Sequence, residues 1–320
     1  MSIRIESDLD WVDELLTEGA AGQLEPSALQ DGRPLLLRIE AEGRPFSRRG
    51  WEIVTRGVWR HGCETIFENV CATGFDLHLE VSGGTAAFTY RWLPAARARV
   101  MRVALGSRFH LLVRAALMQY PALWWAGTSD RAPLHASGIE SRTCAALVTA
   151  AGGVGRSTLL LDELSRGNRV TGDNLGVSDG RRLWGLVEPV RVARAGGRRM
   201  PHGRSEMPMA GRVPELEPSC VVTLERGDHG GHPYLVPSSP EAAARALVTS
   251  TYMAGELRRY WAFAATLAAS TGIGPAQSPV EAAASTLTAN LPCWSLRLGR
   301  PGDRPLSDLL SEEEVNACIS

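Results

Sequence analysis

Three kinds of residue that can hold or move phosphate stand close together in one stretch of this chain. His135, the glycines Gly152, Gly153 and Gly155, and Asp173 all fall within 134–177. Glycines at that spacing let successive backbone N–H groups turn into one concavity. A helix starting directly after them adds its unpaired first N–H groups and the positive end of its dipole. The result is an anion cradle, formed here by Gly152, Gly153, Val154, Gly155, Arg156, Ser157 and Thr158. The Ser157 hydroxyl can reach a Mg²⁺ ion. Asp173 can hold the same metal or take a proton from an acceptor hydroxyl.

The elements needed to position these groups are legible around them. CAALVT (144–149) is a short apolar run suited to a buried strand, and LLLDELSR (159–166) has helical spacing ended by Gly167. NRVTG (168–172) reads as a second strand with Asp173 at its end. Strand, glycine turn, helix, strand with a terminal acid is the layout of a nucleotide phosphate site. The loop departs from Gly-x-x-x-x-Gly-Lys-Ser/Thr in two places. Ala150 stands for the first glycine and Arg156 for the lysine. The chain has no lysine at all, so its 34 Lys+Arg residues are all arginine. The same residues also make a plain turn between a strand and a helix.

The stretch resembles the HPr kinase/phosphorylase family and its relatives, the HPr-kinase-like serine kinases. Three elements stand in register. His135 precedes the loop, GGVGRST (152–158) parallels Gly-Asp-Ser-Gly-x-Gly-Lys-Ser, and Gly167-Asn168-Arg169-Val170 leads to Asp173-Asn174 where the family has Asp-Asp. The resemblance is strongest over 134–177 and weaker beyond. It implies an α/β fold with an HPr-kinase-like P-loop nucleotide-binding domain, using ATP and Mg²⁺. It also implies phosphoryl transfer to a serine hydroxyl of a peptide or small protein. On that resemblance His135 corresponds to the active-site histidine and Asp173 to the base for the acceptor serine. Asn174 departs from the family's second aspartate. Relatives with an N-terminal extension point to a peptide-modification pathway.

The rest of the chain divides on composition into a β-rich N-terminal domain or extension (1–95), a helical connector (96–130) and the HPr-kinase-like domain (131–320). In the first part, 5–21 reads as a helix capped by Ser7, and five β-prone runs follow between 34 and 93, with Gly83-Gly84 as a hairpin signal. His61 and His78 lie there as lone histidines with no second ligand at metal spacing. The connector carries apolar residues at helical spacing interrupted at Gly106 and Pro121, and its Trp124-Trp125 pair reads as core. Beyond Asp173, 188–219 is a long segment with Arg191, Arg194, Arg198, Arg199, Arg204 and Arg212 and little periodicity. It reads as a lid, a peptide-docking loop or a solvated basic loop. His229 and His232 read as turn residues. Ser239-Pro240-Glu241 opens a long helix whose apolar face runs from Ala246 to Leu267, Ser278-Pro279-Val280-Glu281 reads as a capping box, and 305–320 as a terminal helix.

Composition excludes several classes. A formal net charge of −1 gives no general nucleic-acid binder. The most apolar stretch, 109–127, contains Arg114, so no transmembrane helix and no membrane partner are expected. The six dispersed cysteines form no Cys-x-x-Cys and fit free thiols in a cytoplasmic protein. Three functions remain, two of them ahead of the third. One is an ATP-dependent serine kinase. The other is a catalytically degenerate nucleotide-binding scaffold for a modifying enzyme, favoured by Ala150, Arg156 and Asn174 and opposed by His135 and Asp173. A homo-oligomer or a complex with that enzyme is compatible with either. A partition-ATPase switch ranks lower, because its extra lysine would fall at Ala151.

Overall fold

The computed structural model describes residues 3–20, 23, 35–193, 198–200, 203–227, 231–299 and 304–311. Arg194, His229 and most of the expected terminal helix (312–320) lie outside the described residues. The chain is mixed α/β and forms two compact units. The first comprises Met1–Asp130, Arg199–Gly203 and Arg259–Ser278, and the second Arg131–Arg198, Arg204–Arg258 and Pro279–Ser320. Among the described residues no helix is long and apolar enough to cross a membrane.

The first unit is built on a seven-stranded sheet in the order β1-β2-β7-β6-β5-β4-β3. Its strands are β1 (Ile3–Ser7), β2 (Leu35–Glu40), β3 (Glu52–Thr55), β4 (Val58–His61), β5 (Glu64–Phe67), β6 (Phe75–Ser82) and β7 (Thr85–Trp92). Alternation buries Leu35, Leu37, Ile39, Leu77, Leu79, Phe88 and Tyr90 on one face. The expected helix over 5–21 is shorter, α1 (Asp10–Gly19), because Ile3–Ser7 pairs in parallel with Leu35–Ile39. Such pairing is non-local and leaves no trace in helical periodicity. Gly83 and Gly84 turn the β6–β7 hairpin with φ of 58° and 80°.

The connector folds as α2 (Ala96–Ala104), α3 (Gly106–Arg114), a π-helical turn (Ala115–Gln119) and α4 (Tyr120–Gly127). Trp124 is 1% exposed and meets Phe88 edge-on at 5.8 Å, which makes it core. His78 has the neighbours that linear spacing hid. Its Nε2 lies 3.0 Å from Glu64 Oε2 across the β5–β6 pair, with Glu80 beside them.

The second unit carries a six-stranded sheet in the order β11-β9-β10-β18-β20-β19 and a four-stranded sheet in the order β17-β13-β12-β8. The first holds β9 (Ala136–Glu140), β10 (Ala145–Ala150), β11 (Arg169–Val170), β18 (Cys220–Arg226), β19 (Tyr234–Pro237) and β20 (Cys293–Leu298). The second holds β8 (Ala132–Leu134), β12 (Gly176–Ser178), β13 (Leu183–Gly185) and β17 (Glu215–Leu216). Between them in the chain lie β14 (Val190–Ala193), β15 (Arg198–Arg199) and β16 (Arg204–Met207). Strands β10, β18 and β20 run parallel at the centre, and β9 and β19 flank them antiparallel.

Strand residues with both faces covered are mostly apolar, which explains CAALVT and the buried CVVTL of β18, whose Glu225 and Arg226 emerge at its end. On one face α5 (Arg156–Ser165) and Leu306, Leu309 and Leu310 close a core over Ala146, Val148, Val222 and Leu296. On the other, α6 (Pro240–Met253) packs on β10 and β18, with α8 (Val280–Ala289) beside it. Buried Glu163 of α5 accepts from the Leu306 N–H at 2.7 Å and the Asn168 amide at 2.6 Å, which ties 306–311 to the helix end.

The long helix expected after Ser239 is two helices. Ala254 is extended (ψ 122°), and a 3₁₀ turn over Gly255–Leu257 precedes α7 (Tyr260–Thr271), which belongs to the first unit. Ser278 does not cap α8. Pro279 occupies that position, and the buried Ser278 hydroxyl turns to Tyr260. Ser239 does cap α6, accepting from the Ala242 N–H at 3.2 Å with Pro240 at the first position. Ser239→Ala should therefore cost about 1 kcal/mol in urea unfolding. An unchanged midpoint would remove the cap from the account.

Candidate functional site

The glycine turn lies between β10 and α5. Gly153 (φ 79°) and Gly155 (φ 130°) take backbone conformations that side chains rarely adopt. Val154 N–H closes the turn on Ala151 O at 3.3 Å, and α5 starts at Arg156. Ala151, Gly152 and Gly153 are exposed, and a Cβ at Gly152 or Gly153 would meet nothing within 4 Å. The loop is thus open above its backbone. Ser157 is half-buried and Thr158 exposed in the first helical turn, where N–H groups have no partner in the helix. At the end of β18, exposed Arg226 donates to Gly153 O at 3.1 Å and sets a guanidinium beside the loop.

Arg156 points inward. It is 6% exposed, donates to His135 O at 2.9 Å and to Asn174 Oδ1 at 3.2 Å, and meets His135 Nε2 at 2.8 Å. An ammonium donates from one atom, whereas the planar guanidinium fork spans both neighbours. A guanidinium only donates, so His135 Nε2 is the acceptor and the imidazole is neutral with its proton on Nδ1. Burial and the Arg156 charge lower the His135 pKa to about 3, which agrees. His135 sits between β8 and β9. There its N–H donates to Thr251 Oγ1 at 3.0 Å, and its carbonyl accepts from Thr149 Oγ1 at 3.0 Å.

Asp173 lies just past β11 and is wholly buried. Its Oδ2 accepts from the Arg191 N–H at 3.1 Å and the Asn174 amide at 3.3 Å, and its carbonyl accepts from Ser137 Oγ at 2.5 Å. Its Oδ1 has no hydrogen-bond partner. The structure therefore brings His135, Arg156, Asp173 and Asn174 into one connected cluster. The glycines and Val154 form the turn that leads into Arg156, and Ser157 and Thr158 follow it in the first turn of α5.

Further charged residues join the cluster that the sequence did not single out. Glu188 is 1% exposed, and its Oε1 accepts the Asn174 and Leu175 N–H groups at 2.8 and 3.0 Å. Burial raises its pKa, with Asp173 adding to the rise and Arg191 opposing it. Arg191 reaches Glu206 at 3.2 Å, Glu256 at 2.7 Å and Glu188 at 3.8 Å. Burial would depress its pKa, but these carboxylates outweigh burial and raise it.

Among the described arginines of 188–219, Arg191 meets three carboxylates while Arg204 is exposed. β14 and β16 pair across that segment, holding Val190–Ala193 against Arg204–Met207. The only sequence sign was Glu188 within GLVEPV, an acid in apolar company.

The donor set fits a nucleotide with a hard dication. The loop leaves room above exposed backbone, and two buried carboxylate oxygens, Asp173 Oδ1 and Glu188 Oε2, lack hydrogen-bond partners. The His135 shift also fixes a pH dependence. Its folded pKa near 3 lies below the unfolded value of about 6.5, so between those values the unfolded state binds the extra proton. Stability from this group is complete above the unfolded pKa and falls as pH drops toward 3. His135→Gln, which retains an acceptor for Arg156, should flatten the decline by up to about 1.4 kcal/mol per pH unit in urea melts. Parallel wild-type and variant curves would contradict this.

No family model matches the chain. No curated protein matches it. Among solved structures, the Hpr(Ser) kinase/phosphatase from Coxiella burnetii is similar with a TM-score of 0.31 and 11% identity, over 58% of this chain and 97% of that one.

Proposed function

We propose that the second unit binds ATP with Mg²⁺ at the glycine loop and transfers the γ-phosphoryl group to a serine hydroxyl of a peptide or small protein. The observation that carries this reading is Asp173, a fully buried acid next to the loop's own arginine, with one oxygen left without a hydrogen-bond partner. A carboxylate is held in that condition at a cost unless a cation or a proton meets it. The sequence resemblance over 134–177 supports the same chemistry, and a role in peptide modification extends it.

In this reading the backbone of Gly152–Gly155, with Ser157 and Thr158 at the α5 N-terminus, holds the phosphates. The Arg226 guanidinium lies at the same loop. Ser157 and Asp173 hold the metal, which neutralises charge on the transferring group. Asp173 also takes the proton of the acceptor serine. His135 and Asn174 fix Arg156, whose charge balances Asp173 from the protein side.

One observation favours the scaffold reading. Arg156 is tied to His135 and Asn174, so its side chain does not copy the reach of the family's lysine toward the β/γ-phosphates.

Incubation of the purified protein with ATP, Mg²⁺ and co-encoded peptides should give a phosphate mass shift. Asp173→Asn should fold, keep nucleotide and lose transfer by roughly 10²–10⁴-fold. Gly153→Val forces a branched residue into a positive-φ position at the loop and should abolish ATP binding in calorimetry. A wild type that binds ATP but phosphorylates no peptide, with Asp173→Asn still active in the cell, would leave the scaffold reading in place.

A further inference from the structure

The first unit holds a group of metal-ligand side chains that the chemistry so far does not use. In β5 and β6 the register pairs Thr65 with Leu79 and Ile66 with His78. One step further along, Glu64 and Glu80 come opposite each other. Residues two apart on a strand share a face, so His78 lies on the same side as Glu80. A ring nitrogen of His78 and one carboxylate oxygen each of Glu64 and Glu80 all lie within 4.8 Å of one another. His78 Nε2 and Glu64 Oε2 are 3.0 Å apart. Two ligands bound side by side to one ion at about 2.0–2.2 Å stand roughly 3 Å from each other. That contact already has the length of a coordination edge.

A hydrogen bond between His78 and Glu64 accounts for only part of the arrangement. Like charges directly opposite destabilise an antiparallel pair. His78 meets Glu64, but among the described residues Glu80 has no ion pair and no side-chain hydrogen bond. A cation between the three side chains neutralises both acids at once. The imidazole is also held in place. The Phe46 and Trp51 rings lie 5.4 and 5.7 Å from it, and the Arg91 guanidinium covers Phe46 at 4.1 Å. Surroundings that fix a ligand ring are a regular part of metal sites. The Glu64 side chain is 40% exposed and Glu80 is exposed, so an ion can enter and water can complete its coordination.

The ligand set selects the kind of ion. One imidazole with two carboxylates suits Zn²⁺ and its first-row neighbours, whereas Mg²⁺ takes oxygen ligands. We propose that Glu64, His78 and Glu80 bind a first-row divalent transition metal of the Zn²⁺ class, which clips β5 to β6. All three residues belong to the first unit, so the proposal does not depend on the nucleotide reading of the second.

Calorimetry with Zn²⁺ on the full chain tests this, with millimolar Mg²⁺ present to fill any oxygen-only site. Wild type should bind one Zn²⁺ with micromolar affinity or better. Glu80→Gln disturbs no contact of the fold and should weaken binding by at least about tenfold, with His78→Ala weakening it at least as much. Zn²⁺ should also raise the thermal midpoint of wild type more than that of Glu80→Gln. Cys63→Ser removes the exposed thiol next to Glu64 in the chain and should leave the affinity unchanged. Zn²⁺ binding that survives both Glu80→Gln and His78→Ala overturns the proposal. So does binding lost in Cys63→Ser, which would assign the metal to the thiol. A wild type that binds no Zn²⁺, or releases it to the added Mg²⁺, overturns it as well.

Discussion

The buried opposition between Arg156 and the Asp173–Glu188 pair is the constraint around which the second unit is arranged. Charges inside a protein persist only when paired and hydrogen-bonded, and removing one partner of such a group typically costs about 3–5 kcal/mol. Every nearby element contributes to that pairing. The β8–β9 joint presents His135, the end of β11 presents Asp173, the segment before β14 presents Glu188, and β16 presents Glu206. Thr149 and Thr251 then hold the His135 backbone so that its carbonyl stays on Arg156. The close strand approach beneath is possible because Gly138 and Gly185 lack side chains. A Cβ at Gly185 would lie 2.0 Å from Thr171 O.

The arginine at the loop end changes how the loop can hold an anion. A lysine there would lend a mobile point charge to phosphate. Arg156 instead turns Nη1 and Nη2 to protein acceptors, so in the proposed site phosphate would meet backbone N–H groups and the α5 dipole. Among the described residues Arg226 sets a guanidinium against the loop, reached from the end of β18 because β18 lies parallel beside β10. In a chain without lysine, the charge is divided between a buried structural arginine and an exposed one, where a lysine-based loop uses a single residue.

Much of this was legible and some was not, for physical reasons. Strand–turn–helix around GGVGRST, the core role of Trp124 and the Ser239 cap depend on local spacing, and local spacing is what a sequence displays. The strand Ile3–Ser7 depends on a partner more than 30 positions away, and the Glu64–His78 pair on cross-strand register. Neither leaves a periodic trace. The break at Ala254 was hidden because the apolar pattern continues through it into α7, whose face is also buried. At the site, His135, Arg156 and Asp173 could be named because a motif links them. Glu188, Arg191, Glu206 and Glu256 converge only through the β14–β16 pairing and the turn after α6, inside a segment that reads as a basic loop.

The Arg156–His135 contact also divides the labour of any proton transfer at this site. The guanidinium cannot accept a hydrogen bond, so it holds the Nε2 lone pair of His135 and keeps the ring neutral. With that lone pair engaged and the pKa held near 3, the imidazole is a weak base at neutral pH. Asp173 differs in the relevant respect, because one of its oxygens is unengaged. The chemistry proposed for this site therefore places the base on Asp173. His135 acts one step back, since turning or shortening its ring would free Arg156, whose charge acts on Asp173 and Glu188.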